Sequence, residues 1–200
     1  MNPLFSIITI TFNAEQVLPP TLDSVKRQSF TNFEHLVVDG ASTDGTVEIA
    51  ERSGIKGISV VSEPDRGLYD AMNKGIRRAK GEYLIFLNAG DAFHAPSSLQ
   101  EIADAIEQGA QPDIVYGQTQ IVDADRNFVA MRHLTAGASD VRQLQARHAG
   151  VPSGVCGAPR AGGTLRPALS VLRRLRMVSA LLEKSEALRL YRHNAYRLSC

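Results

Sequence analysis

The run that decides the fold is FSIITIT at residues 5–11, in which almost every side chain is apolar or β-branched. An uninterrupted run of this kind is typical of a strand that is buried on both faces of a parallel sheet. Comparable runs follow at 34–39 (EHLVVD), 58–62 (ISVVS) and 83–87 (YLIFL). Because helical patterns separate these runs, the sequence predicts right-handed βαβ units and an α/β fold with a mostly parallel sheet flanked by helices.

The connections between the strands carry the helix signals. Helices are predicted within 13–28, 43–53, 68–79 and 96–108, and later strands at 113–116 and 128–131. Pro19 and Pro20 are tolerated in a first helical turn, and Gly54 is a natural stop for the second helix. Sheets of this class bind their ligands just beyond the carboxyl ends of the strands.

Charge is distributed unevenly along the chain. Residues 1–140 hold 11 Lys and Arg against 19 Asp and Glu, a net charge of −8, whereas residues 141–200 hold 11 against 2, a net charge of +9. Apolar residues make up 44% of the chain, enough for one sizeable core. We therefore predict a domain at residues 1–132 and an atypical, poorly packed basic tail at 133–200, in which 169–192 has the pattern of a basic amphipathic helix.

The sequence also carries signals of location. Cys156 and Cys200 are the two cysteines, too few and too late for a disulfide framework, which favours a reducing compartment. The apolar run at residues 4–10 lacks the flanking features of a signal peptide, and no run approaches the roughly 18 to 20 apolar residues of a membrane span. A cytoplasmic location is expected, with at most peripheral contact with the inner face of the membrane.

Three acidic residues follow three of the predicted strands. Asp39 ends VVDGASTDGT, Asp65 lies in SEPDRGLYDAMNKG, and Asp91 ends LIFLNAGD. In order and spacing, these segments resemble the family 2 glycosyltransferases, which are inverting enzymes with a GT-A fold. SIITITFNA is similar to that family's opening strand and nucleoside-contacting loop. The resemblance covers residues 5 to about 132.

The resemblance implies a set of donor-binding residues. Asp39 would accept the imide N–H of a uracil ring in a charge-assisted hydrogen bond. Thr11 and Asn13 would contact the nucleoside from the loop after the first strand. Asp65 would help to place the donor and Arg66 would pair with a phosphate, although these two could equally form an ordinary surface pair.

The resemblance also implies a divalent cation, Mn²⁺ or Mg²⁺, at Asp91. Many relatives have Asp where Asn88 and Gly90 stand, so a single carboxylate carries the motif here, and Asn88 is expected to contact the donor. Cations of this type favour oxygen ligands and need few carboxylates when phosphates supply the rest. Asp44, by contrast, has the pattern of a helix cap.

The catalytic base that the resemblance implies has no match. Family members have a C-H-Q segment and a later S-A-D-[FY]-[DE]-W segment, whereas no acidic residue lies between Asp140 and Glu183. Residues 145–154 and 166–178 can be back-translated so that reading one base later gives KHGMLVCHQ and DLRYRFSADFEW. We therefore hypothesise a reading-frame shift near residues 141–145, with an unusual but genuine extension as the alternative.

Two functions follow from these patterns. The first is transfer of a sugar from a nucleoside-diphosphate donor, with UDP expected, to a saccharide or lipid-linked acceptor in surface polysaccharide biosynthesis, inactive if the base segment is missing. The second is a non-catalytic nucleotide-sugar-binding protein whose basic tail contacts a membrane or a partner. No nucleic-acid partner is expected.

Overall fold

The computed structural model of the protein describes residues 2–109, 114–116, 119–132, 176–179 and 189–191. The strands are β1 (Phe5–Thr11), β2 (Phe33–Asp39), β3 (Ile58–Ser62), β4 (Tyr83–Phe86), β5 (Ile114–Tyr116), β6 (Thr119–Val122), β7 (Phe128–Arg132), β8 (Arg176–Ser179) and β9 (Arg189–Tyr191). The helices are α1 (Leu18–Lys26), α2 (Thr46–Glu51), α3 (Leu68–Arg78) and α4 (Ser98–Gln108). In this part of the chain, no helix has the length and apolar character needed to cross a membrane.

One sheet organises the molecule, with the strand order β3-β2-β1-β4-β8-β5-β9. The neighbouring strands are parallel except for β9, which runs antiparallel to β5. β6 and β7 form a separate antiparallel hairpin. The mostly parallel sheet with flanking helices that the sequence predicts is thereby confirmed.

The alternation of side chains along β1 builds two cores, one on each face of the sheet. Ile7 joins the larger core, to which α1 and α4 contribute, and Ile8 joins the smaller core under α3. α3 lies close against β1, because a β-carbon built on Gly75 would lie 2.5 Å from Ile8 Cγ2. The glycine therefore permits a helix–strand approach that a larger residue would prevent.

Two features of the fold differ from the sequence prediction. The hairpin strand β6 was not anticipated, since TQIV is short and its Ile121 and Val122 are exposed rather than buried. The continuous helix expected over 169–192 is wrong, because β8 and β9 are strands whose backbones pair within the main sheet. The rest of the predicted tail at 133–200, including the hypothesised frame-shift point and both cysteines, lies outside the described residues.

His35 makes the stability of the fold sensitive to acid. It is fully buried in β2, its Nε2 lies 2.9 Å from Thr9 Oγ1, and burial lowers its pKa from 6.5 to about 4. The unfolded chain therefore takes up a proton near pH 6.5 that the folded chain takes up only near pH 4. As the pH falls through this window, the free energy of unfolding should fall by about 3 kcal/mol.

Urea unfolding at pH 7, 5.5 and 4 measures this effect. His35→Gln, which keeps a polar partner for Thr9 but does not titrate, should lose correspondingly less stability over the same range. An identical pH dependence in the two proteins would show that other groups cause the acid sensitivity.

Candidate functional site

The ends of β1, β2 and β4 meet at one edge of the sheet. Thr11, the last residue of β1, is in register with Asp39, the last residue of β2. The chain that leaves β4 continues beside β1, since the Ala89 N–H donates to the Ile10 carbonyl at 3.4 Å. Asp39 and the loop that carries Asp91 therefore lie at the same edge, two strand spacings or about 10 Å apart across the sheet.

The Asp39 carboxylate is buried and accepts four hydrogen bonds from within the protein. Asp39 is 1% exposed. Its Oδ1 accepts the hydroxyls of Thr11 at 2.9 Å and Ser42 at 2.5 Å, and its Oδ2 accepts the Ser42 N–H at 2.8 Å and the Ser62 hydroxyl at 2.6 Å. Burial alone would raise the pKa of Asp39, but these hydrogen bonds outweigh it and hold the pKa below its usual value. The roughly four acceptor positions of a carboxylate are all in use.

Asp65 brings a second carboxylate to the same strand end. A β-carbon built on Gly40 would lie 2.6 Å from Asp65 Oδ2, so this oxygen lies where the side chain of residue 40 would otherwise be. Asp65 Oδ1 accepts the Gly67 N–H at 2.7 Å, and no group within the described ranges donates to Oδ2. Asp65 Oδ2 is therefore the carboxylate oxygen at this strand end that can accept a hydrogen bond from a ligand.

Phe12 lies beside this carboxylate and was missed by the sequence analysis. Its ring is 66% exposed, and its Cδ2 would lie 3.3 Å from the same β-carbon on Gly40. An exposed aromatic face next to a carboxylate can stack on a planar base while the carboxylate accepts a ring N–H. The signal was available, because an aromatic residue directly after a buried strand is at the ligand-binding edge of the sheet.

The loop that carries Asp65 is fixed by a buried lysine. Lys74 on α3 is 9% exposed, and its Nζ donates to the Pro64 carbonyl at 2.6 Å. The same ammonium lies 3.5 Å from Glu63 and 3.8 Å from Asp70. Asp70 Oδ2 in turn accepts the backbone N–H of Arg66 at 3.1 Å. Arg66 itself is exposed. These contacts fix the Asp65 loop to α3.

Asn13 and Asp44 each form hydrogen bonds that fix the loops at this edge of the sheet. Asn13 has a positive φ of 46°, its N–H donates to Ser42 Oγ at 2.8 Å, and its Oδ1 accepts the Thr43 N–H at 3.0 Å. Asp44 Oδ1 accepts the N–H of Thr46, the first residue of α2, at 3.0 Å, so it stabilises the start of that helix. The Glu15 N–H also donates to Asp44 Oδ2 at 3.2 Å, so both residues join the loop after β1 to the loop after β2.

The Asp91 loop offers two oxygen groups. Gly90 has a positive φ of 98°, and its N–H donates to Thr21 Oγ1 at 2.9 Å, which anchors the loop to α1. Asn88 Oδ1 is buried and has no hydrogen-bond partner in the described part of the chain. Burial raises the pKa of Asp91, opposed by the charge of Arg126 and by a hydrogen bond from the Asn88 backbone.

Asn88 Oδ1 and the Asp91 carboxylate are suited to a divalent cation whose other ligands come from a bound diphosphate. Within the described ranges no cluster of three or more His, Cys, Asp or Glu could hold a metal by itself. An unpartnered amide oxygen in the same loop as a carboxylate nevertheless matches the preference of Mg²⁺ and Mn²⁺ for oxygen, with phosphates completing the shell. Asn88 and Asp91 are therefore the residues that could hold such a cation.

Comparison with known proteins finds relatives of one family. The sequence profile of Glycosyl transferase family 2 matches residues 6–167. A Mycobacterium bovis protein named PGL/p-HBAD biosynthesis glycosyltransferase is 41% identical over 130 residues, which are 63% of this chain and 50% of that protein. The chain thus spans about half the length of the curated relatives that it matches.

Two solved structures are similar over the same region. Residues 1–349 of Staphylococcus aureus TarS, in complex with UDP-GlcNAc, are 28% identical with a TM-score of 0.55, covering 62% of this chain and 36% of that one. Mannosyltransferase PcManGT from Pyrobaculum calidifontis, in complex with GDP-Man and Mn²⁺, is 27% identical with a TM-score of 0.51 and the same coverage. These likenesses confirm the expected GT-A fold.

Proposed function

Because the chain belongs to Glycosyl transferase family 2, we propose that it binds a nucleoside-diphosphate sugar at the shared carboxyl edge of β1, β2 and β4. The observation that carries this proposal is the convergence of Phe12, Asp65 and Asp91 on that edge. The likeness to a UDP-GlcNAc complex favours a uridine donor. The reaction that we propose is inverting transfer to a saccharide or lipid-linked acceptor in surface polysaccharide biosynthesis.

For the nucleoside end, we assign base recognition to Asp65 and Phe12. The family resemblance implies this role for Asp39, but all four acceptor positions of Asp39 are used within the protein, which favours Asp65 as the acceptor for the base. Asp65 Oδ2 accepts the imide N–H of the base, and the exposed Phe12 ring stacks on it. Asp39 and Thr11 then shape the loop on which the base rests.

For the diphosphate end, we propose that Asn88 and Asp91 hold Mn²⁺ or Mg²⁺. The likeness to a GDP-Man and Mn²⁺ complex supports a cation here, as does the unpartnered Asn88 Oδ1. When bound, the cation stabilises the negative charge that develops on the leaving nucleoside diphosphate. Arg66, exposed in the Asp65 loop, is proposed to pair with a phosphate.

Calorimetric titration of UDP, with and without Mn²⁺, tests this assignment. The wild-type chain should bind UDP more tightly when Mn²⁺ is present. Asp91→Asn removes the carboxylate from the cation, so we expect the Mn²⁺-dependent gain in affinity to fall by about 100-fold or to vanish. Asp104→Asn, which neutralises an exposed carboxylate on α4, is the matched control and should titrate like the wild type.

Two results would contradict the proposal at different points. Absence of UDP binding by the wild-type chain in both conditions would sink the nucleotide-sugar assignment. If Mn²⁺ raised the UDP affinity of the Asp91→Asn variant as much as that of the wild type, nucleotide binding would stand but Asp91 would not be a ligand of the cation.

Transfer itself requires a general base for the acceptor hydroxyl. Because no Asp or Glu lies between Asp140 and Glu183, we propose that this chain binds donor but transfers sugar slowly or not at all. The same lack of acidic residues favours the second function, a nucleotide-sugar-binding protein without catalysis. Donor turnover is assayed on the protein used for calorimetry: slow turnover supports a weakened transferase, no turnover supports the second function, and turnover at the rate of an intact family 2 enzyme contradicts both. The nucleotide sequence of the gene near codon 142 tests the frame-shift hypothesis.

A further inference from the structure

The tip of the β6–β7 hairpin lies against the Asp91 loop. The tip is residues 123–127, and its Arg126 donates from Nη2 to the Gly90 carbonyl at 3.3 Å. Arg126 is exposed, so its guanidinium keeps donors that can reach a ligand at this edge. The hairpin therefore delivers a cationic side chain to the loop proposed above to hold the donor diphosphate.

The conformation of Arg126 is unusual for its residue type. Its φ is +64°, in the left-handed region where glycine is favoured, and its own N–H donates to the Asp123 carbonyl at 3.0 Å. Asp123 Oδ1 also accepts the N–H groups of Asp125 at 2.9 Å and Asn127 at 2.8 Å, which fixes the turn. A left-handed residue commonly closes a short hairpin loop, so this turn fixes the position of the Arg126 backbone beside the Asp91 loop.

The negative charge expected at the Asp91 loop when a donor is bound would be partly neutralised by the Arg126 guanidinium. Asp91 is the single carboxylate of the NAGD motif, and a donor diphosphate adds several negative charges to it. A guanidinium matches phosphate oxygens with two parallel N–H donors and stays charged at all relevant pH values. Arg126 has the reach and the chemistry to neutralise part of this charge.

Resting on the proposed function, we propose that Arg126 is a donor-binding residue that contacts the diphosphate of the nucleotide sugar from the β6–β7 hairpin. In the free protein it is held over the loop by the Gly90 carbonyl. In the complex it donates to a phosphate oxygen. The contact distinguishes a nucleoside diphosphate from a nucleoside.

Arg126→Gly is the decisive variant, because glycine suits the left-handed conformation while removing the guanidinium. Binding of UDP and of uridine is measured by calorimetry, together with thermal unfolding. We expect UDP affinity to fall at least about ten-fold, uridine affinity to stay unchanged, and the melting temperature to be equal or higher. Arg126→Lys, which keeps the charge, should recover part of the UDP affinity.

Arg52→Gln is the matched control, since it removes an exposed arginine at the C-terminal end of α2, whose side chain is paired only with Glu48 at 2.7 Å among the described residues. It should leave UDP affinity unchanged. UDP binding by Arg126→Gly equal to that of the wild type, or an equal loss of uridine and UDP affinity, would overturn the inference. A wild-type chain that binds neither ligand would instead overturn the proposed function.

Discussion

Asp39→Ala is expected to lower the free energy of unfolding by about 3 kcal/mol. The substitution removes the acceptor of four hydrogen bonds at a position that is 1% exposed. The buried Thr11 hydroxyl would be left without a partner at a cost of about 1 to 3 kcal/mol, whereas the Ser42 and Ser62 groups are only partly buried and cost less because they can turn toward water. A loss of about 3 kcal/mol is at the upper end of what single substitutions usually cost. Urea unfolding of the two proteins measures it.

The control for this experiment is Asp104→Ala, at an exposed position of α4. Such a surface change should alter stability by no more than about 0.5 kcal/mol. If Asp39→Ala proved as stable as the wild type and lost only UDP affinity, Asp39 would be a ligand contact, as the family resemblance implies.

The second large effect is expected at Asp65. Asp65→Asn replaces the charged acceptor of the base N–H by a neutral amide, and we expect the affinity for both uridine and UDP to fall by about 10- to 100-fold. Stability should change little, because the asparagine Oδ1 can still accept the Gly67 N–H. Asp23→Asn, at an exposed position of α1, is the control for the loss of one charge.

Gly40→Ala tests the same contact from the opposite side. The new β-carbon would lie 2.6 Å from Asp65 Oδ2, the far end of a side chain, so the carboxylate rather than the backbone should move. The variant should fold and should bind uridine more weakly. Unchanged uridine affinity in both Asp65→Asn and Gly40→Ala would remove Asp65 from the base site.

Local patterns were sufficient to predict the first half of the sheet. The predicted β1 and β3 have the same bounds in the structure, and β2 and β4 differ by one residue at one end. Buried parallel strands are continuous apolar runs, and this signal does not depend on distant residues. The position of Asp39 and Asp91 at one edge followed from the rule that parallel strands share their carboxyl ends.

The contacts that were not predicted join residues far apart in the chain. Asp65 fills the side-chain space of Gly40, and Arg126 reaches Gly90 across 36 residues. No local periodicity encodes either approach, because each depends on how two loops pack. β8 also could not be placed, since its neighbours β4 and β5 are set by the whole sheet rather than by the RMVS segment.

The buried ammonium of Lys74 has a consequence for the thermodynamics of binding. Its hydrogen bond to the Pro64 carbonyl holds the Asp65 loop before any ligand arrives. The entropy lost in ordering that loop is therefore a cost of folding rather than of association. A rigid, preorganised receptor keeps more of the interaction energy of each contact as affinity, so even a small ligand such as uridine can serve as a probe of this edge.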